Sequence, residues 1–244
     1  MFFVRLLFLA LRRLKSPDDY YAFQKFQAQR VVFDFVSLLP ENVYHLRVLD
    51  FGCGYGAYSV CLSEYFDKVI AVDQFSDILL NSNFLDNEKI EVVKANLLCF
   101  ETNPVDVVFC ASVIEHVPPE SLMQFIDTIK RNLRIGGYLY LSFPPFLSPI
   151  GGHLTAPFHY LPDRLAFVLT KLIKGKKIES YERMFGGWGL YKTHIGPIQS
   201  LLRNSGFDII ETRSRFMPRL FNLVFANNNL FNWHCEIIAV SKQS

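Results

Sequence analysis

The run Val48-Leu49-Asp50-Phe51-Gly52-Cys53-Gly54-Tyr55-Gly56 constrains the fold more than any other stretch of the chain. An apolar strand enters three alternate glycines, and helical spacing follows from Ala57. Glycine suits such a turn because the backbone takes positive φ and a ligand must approach with no Cβ in its way. The N–H groups at the start of the next helix are then available to polar ligand atoms.

The surrounding pattern fits a wound α/β sheet. Strands are predicted at 46–51, 68–72, 90–93, 105–111, 138–143, 207–212 and 235–241. Helices are predicted at 20–39, 57–66, 76–82, 120–133, 164–173 and 196–204. Val105 to Ala111 is nearly all apolar, as expected of a strand covered on both faces. Strands and helices in alternation imply a parallel sheet with right-handed crossovers. The rhythm fails from Pro144 to Tyr191, a stretch rich in proline, glycine and aromatics, which reads as an insertion. The expected organisation is N-terminal helices over 1–40, a core over 41–143, an inserted cap over 144–193 and the rest of the core over 194–244.

Half of the residues are hydrophobic and one in five is charged, so the chain has the composition of a folded protein. Phenylalanine occurs 24 times, an excess that suits a large core, an apolar cleft or contact with lipid. The net charge is only +2 and no block of like charges forms a nucleic-acid footprint. The basic stretch from Lys171 to Lys177 reads as a solvated helix end. The five cysteines are single and scattered among apolar residues, without the close pairs of a zinc or redox motif. Reduced, buried thiols fit a cytoplasmic location. The apolar start, Met1 to Leu11, is too short for a membrane span and has its charges on the wrong side for a signal peptide. It reads as an amphipathic helix packed on the domain, with a helix lying on a membrane surface as the alternative.

Gly52, Gly54 and Ala57 also satisfy a dinucleotide pattern, with Asp73 where a ribose-binding acid belongs. Asp50 argues against it, because a carboxylate beside the loop repels a pyrophosphate but attracts an ammonium group. Val69 to Asp73 suits either ligand, since one carboxylate can accept from both ribose hydroxyls.

Asp50 to Gly56, Val69 to Asp73, Asp106 to Val117 and Leu133 to Phe143 together resemble the four ordered motifs of class I S-adenosylmethionine (SAM)-dependent methyltransferases. The likeness is to the broad group, methyltransferase type 11-like, that includes ubiquinone and menaquinone biosynthesis methyltransferases. It implies a Rossmann-like three-layer α/β sandwich with a mostly parallel seven-stranded sheet, its last strand antiparallel. It also implies SAM as cofactor and S-adenosylhomocysteine as product. Asp50, Phe51, Gly52, Cys53 and Gly54 would form the loop under the methionine part. Asp73 and Gln74 would meet the ribose, and Asn96 and Leu97 the adenine. Ala111, Ser112 and His116 would line the pocket towards the reacting methyl.

His116 is the leading candidate for a general base, and His153 and His159 of the insertion are candidates to face the acceptor. Glu115 reads as a helix cap. His153 and His159 have no cysteine or carboxylate cluster beside them in sequence, so no metal site is expected. Phe143-Pro144-Pro145-Phe146 lacks the leading Asn or Asp of the N-P-P-[YF] loop of nucleic-acid amino methyltransferases. The acceptor is therefore expected to be a small molecule or a lipid-linked one, with peripheral membrane contact in keeping with the phenylalanine content. The insertion's aromatics (Phe146, Phe158, Tyr160, Phe185 and Trp188) suit an apolar cleft or lid. Gly151-Gly152 and Gly186-Gly187 are its expected hinges. An NAD-dependent oxidoreductase and a non-catalytic SAM-binding module are the alternative readings.

Overall fold

The computed structural model describes residues 2–12, 16–39, 42–74, 87–174, 181, 189–215, 217 and 219–242. The predicted helix at 76–82, Phe185, Trp188, Gly186-Gly187 and the end of the basic stretch lie outside them. The chain forms two compact units, Met1–Phe109 and Cys110–Ser244.

In the first unit, helices α1 (Phe2–Arg12) and α2 (Pro17–Val36) precede strand β1 (Arg47–Phe51), helix α3 (Ala57–Ser63), and strands β2 (Lys68–Asp73) and β3 (Ile90–Lys94). Strand β4 (Val105–Ala111) ends the unit and enters the next. The Ser16-Pro17-Asp18-Asp19 stretch opens α2, which therefore starts before the expected Tyr20. Ser16 Oγ accepts from the Asp19 amide at 3.1 Å and Pro17 occupies the first turn, two standard devices for starting a helix. α1 meets α2 through Arg5, whose guanidinium sits 5.0 Å from the Phe26 ring centre, and through an Arg12–Asp19 ion pair at 3.2 Å. Phe8 and Leu11 of α1 remain exposed. No helix of the described residues is long and apolar enough to cross a membrane.

Helix α2 delivers Phe35 onto Phe109 of β4 in an edge-to-face pair at 5.8 Å, and both rings are fully buried. Such a pair adds about 0.5–1.5 kcal/mol beyond the area it buries. β1 pairs with β2 and β4, and β2 with β3, all in parallel. β1, β2 and β4 are almost entirely buried, whereas β3 has only Ile90 buried.

The second unit contains helix α4 (Leu122–Asn132), strand β5 (Leu133–Phe143), helices α5 (Asp163–Lys174) and α6 (Ile195–Asn204), strand β6 (Phe207–Ser214), helix α7 (Arg219–Phe225) and strand β7 (Cys235–Ser241). β7 runs antiparallel to both β5 and β6. The sheet order is β3-β2-β1-β4-β5-β7-β6, seven strands with the last in sequence reversed, as the resemblance implied. Several element ends differ from expectation. β5 begins at Leu133 and passes through Gly136 at φ +74° without a separate turn. The sequence reading also lacked α7, a seven-residue helix between β6 and β7.

Charged residues hold the antiparallel half together. Glu236 of β7 accepts from Arg213 Nε at 2.7 Å, Arg215 Nε at 2.9 Å and the Tyr140 hydroxyl at 2.7 Å. Arg215 also donates to Tyr140 and to Ser142 Oγ. Burial alone would raise the Glu236 pKa, but Arg215 and Arg213 bring it below the usual carboxylate value.

Candidate active site

In the first unit, Gly52, Gly54 and Gly56 all lie in the left-handed region, at φ +85°, +52° and +74°. The Gly52 and Cys53 amides donate to the Val72 carbonyl at 2.9 and 3.0 Å, which folds the loop over the end of β2. The Gly54 amide then donates to Asp73 Oδ2 at 3.0 Å. Asp73 thus braces the loop from the end of β2.

The acid before the loop sits differently from expectation. Asp50 is 1% exposed, and its Oδ2 accepts from Ser59 Oγ of α3 at 2.5 Å. Burial pushes its pKa up to about 7, with the Ser59 hydrogen bond opposing and the Asp73 charge adding to the rise. Asp50 therefore ties β1 to α3, while Asp73 holds the loop. The Phe51 and Cys53 side chains are buried, so only their backbones are available to a ligand. Burial and the charges of Asp50 and Asp73 raise the Cys53 pKa, leaving an inert thiol. Gln74 is half-buried just after β2. Asn96 is exposed, and its Oδ1 accepts from the Leu98 amide at 2.9 Å. That side-chain oxygen caps its own turn and keeps capacity for a second donor, since an amide oxygen has two lone pairs. Leu97 is buried beside it.

In the second unit, β4 leads into Ser112 at φ +59°, an unfavourable angle for a residue with a Cβ. Its amide is held by the Ser142 carbonyl at 2.8 Å, and Oγ lies 3.4 Å from His234 Nε2. Ala111 is half-buried beside it. His234 is buried, and its pKa is well below the usual imidazole value, first through burial and then through Arg215 and His153. A turn of 3-10 helix, Ile114–His116, presents Glu115 and His116. Residues 189–191 clamp it: the Tyr191 amide donates to the Glu115 carbonyl at 2.8 Å, and His116 Nδ1 lies 2.6 Å from the Gly189 carbonyl oxygen. Burial lowers the His116 pKa, against the Glu115 carboxylate and the Gly189 carbonyl, which raise it.

The insertion brings His153 into this cluster and seats His159 elsewhere. The His153 ring meets that of His116 edge-on at 5.3 Å, and Nε2 lies 3.5 Å from Glu115 Oε1. His153 has φ +47°, a second non-glycine residue in left-handed strain. Backbone strain of this kind costs energy and tends to gather at working sites. His159 is 3% exposed, with Nε2 3.2 Å from the Ser148 carbonyl oxygen, and stacks on Tyr160 at 3.9 Å. Gly151 and Gly152 are buried, and a Cβ on Gly152 would strike the His159 ring. A Cβ on Gly151 would strike the Pro145 and Phe146 carbonyls. Close packing therefore explains this pair, and the hinge reading gains nothing from it.

Residues 49–141 match the family described as Methyltransferase domain. A ubiquinone biosynthesis O-methyltransferase of Cupriavidus pinatubonensis is 30% identical over 179 residues, 68% of this chain and 62% of that protein. A ubiquinone biosynthesis O-methyltransferase of Xylella fastidiosa is 30% identical over 103 residues, 39% of this chain and 41% of that protein. An uncharacterized protein of Methanocaldococcus jannaschii is 32% identical over 132 residues, covering 51% of this chain and 55% of that one. The chain thus spans roughly half the length of the curated relatives it matches. Among solved structures, magnesium protoporphyrin IX methyltransferase from Synechocystis with bound S-adenosylhomocysteine superposes with a TM-score of 0.61 at 19% identity, over 95% of this chain and 92% of that one. Residues 49–141 thus match a methyltransferase domain, and the fold is that of SAM-dependent methyltransferases. A SAM-dependent methyltransferase from Mesorhizobium loti shares the same fold, with a TM-score of 0.59 at 16% identity over 89% of this chain and 97% of that one.

Three features of the site went unread in the sequence. Glu115 is buried inside the histidine cluster instead of capping a helix, Ser59 is the partner of Asp50, and His234 stands beside Ser112. Ser59 lies in the first turn of α3, beyond the glycine loop from Asp50, and carried a readable signal as a hydroxyl among the helix's apolar residues. Glu115 and His153 come from different elements and carried none.

Proposed function

We propose that the protein transfers the methyl group of SAM to a small-molecule or lipid-like acceptor. The braced glycine loop carries this reading: three left-handed glycines with the Gly54 amide fixed on Asp73. That arrangement bares backbone for close approach and sets a carboxylate at the end of β2, where an acceptor for ribose hydroxyls belongs. By the family's pattern, Gly52 and Gly54 take the methionine part, Asp73 with Gln74 the ribose, and Asn96 and Leu97 the adenine side. Ala111, Ser112 and His116 take the methyl-transfer end. SAM supplies an electrophilic methyl on a sulfonium. The acceptor atom bonds to that carbon as the carbon–sulfur bond breaks, and the electron pair leaves with sulfur as the thioether of S-adenosylhomocysteine.

Catalysis of this displacement needs alignment and exclusion of water more than chemical assistance. Where the acceptor carries a proton, His116 suits the role of base. Its lowered pKa keeps it neutral near pH 7, and its Nδ1–H donates to Gly189, leaving the Nε2 lone pair available. The cap over 144–193 supports an apolar acceptor, because α5 exposes Leu165, Val168, Leu172 and Ile173. The same face suits peripheral membrane contact. The test is transfer of labelled methyl from SAM into apolar small molecules and lipid extracts. Label in an extractable product supports the reading. SAM binding without transfer to any acceptor points to the non-catalytic module, and NAD(H) binding in place of SAM to the oxidoreductase.

A further inference from the structure

We infer that Glu115, His116 and His153 form a binding site for a divalent transition-metal ion. Their ligand atoms all lie within 4.8 Å of one another, and the Glu115–His153 pair is at 3.5 Å. Ligands held about 2.0–2.2 Å from one ion stand at most about 4.4 Å apart. A small rotation of His153, whose side chain is one-third exposed, closes the set.

The second observation is an unmet demand for positive charge. Glu115 is 1% exposed, and neither carboxylate oxygen has a hydrogen-bond partner among the described residues. His153 Nε2 is likewise unpartnered. A buried carboxylate left in this state is costly unless a cation or donor meets it. The arrangement of His116 identifies which kind. Its Nδ1 faces the Gly189 carbonyl, so the proton resides there and Nε2 keeps its lone pair. A backbone carbonyl orienting an imidazole in this way is the usual outer-shell support of a metal ligand. His153 is held at φ +47°, a strained angle that needs some compensating interaction.

Two imidazoles with one carboxylate suit Zn2+, Mn2+ or Fe2+, and suit Mg2+ or Ca2+ poorly. Three protein ligands leave at least one position for water or for an oxygen of a bound molecule. The metal would occupy the same His116 lone pair that serves as a base in the metal-free protein, so only one role operates at a time. Metal binding here does not depend on the methyl-transfer reading, because its test is run without SAM.

The test is calorimetric titration of chelator-treated protein with Zn2+, repeated for Glu115→Gln, His153→Asn and, as a control, His45→Asn. The expected result is one ion per chain, at least tenfold weaker binding in both cluster variants, and no change in the exposed His45 variant. Glu115→Gln keeps the side-chain shape, and circular dichroism identifies any variant that fails to fold. If the cluster variants misfold, visible absorption of the Co2+-loaded wild-type protein decides: bands of a low-coordinate nitrogen–oxygen site support the assignment, and the spectrum of hydrated Co2+ overturns it. Absence of Zn2+ binding, or equal affinity in folded cluster variants, also overturns it and leaves Glu115 and His153 as an ion pair.

Discussion

Asp73 accepts the Gly54 amide at 3.0 Å, so the acid at the end of β2 and the loop after β1 form one unit. The carboxylate fixes the loop before any ligand arrives, which lowers the ordering cost of binding. Gly54 has open space where a Cβ would go, and so does Gly136 of β5, at φ +74°. The two differ only in what they serve, and together they separate backbone strain from ligand approach.

Gly54→Ala and Gly136→Ala should each cost about 1–2 kcal/mol of stability, because alanine is strained at positive φ. Only Gly54→Ala should also weaken SAM binding, by tenfold or more, since its methyl group intrudes where the ligand approaches. Thermal melts and SAM titrations of both variants check this. Equal SAM affinity in the two would show that the loop does not face the cofactor.

The glycine loop was legible because positive φ leaves a residue-level trace: only glycine takes it cheaply, and here it recurs at alternate positions. The strands of the parallel half were legible from their apolar runs. The Ser59 partner of Asp50 was not legible because it lies on the next helix, and spacing alone does not say which way a carboxylate turns. Glu115 and His153 were missed as a pair because their contact is made by tertiary folding of the insertion. A trace of the Glu236 network was available. Glu236 interrupts an apolar strand, and Arg213 and Arg215 stand two apart on one strand face. α7 left little trace, since its five apolar residues among seven serve a strand as well as a helix.

Glu236 should control acid stability. Its folded pKa is depressed, so its contribution is present above the usual unfolded value near 4.5 and lost as pH falls through the lower folded value. Glu236→Gln removes the buried carboxylate that Arg213 and Arg215 share, leaving Arg213 the longer Glu211 contact at 3.8 Å, and should cost about 3–5 kcal/mol at neutral pH. Urea unfolding at pH 7 and pH 4 checks this, and the gap between the proteins should narrow at the lower pH.

Asp50 should act with the opposite sign. Its folded pKa is raised to about 7 from 3.8, so its contribution is fully present below 3.8 and lost as pH rises towards 7. The loss is at most about 1.4 kcal/mol per pH unit in that window. The melting temperature of the wild type should therefore fall relative to Asp50→Asn between pH 5 and pH 8. A constant difference would mean that Asp50 is ionised throughout.

The central claim is that the Asp73-braced loop holds the nucleoside of SAM. Calorimetric titration with S-adenosylhomocysteine of the wild type and of Asp73→Ala tests it most directly. Loss of two hydrogen bonds to a charged acceptor, each worth about 1.5–3 kcal/mol, predicts at least tenfold weaker binding in a variant that still folds. Absence of binding to the wild type, or unchanged affinity in folded Asp73→Ala protein, would contradict the account.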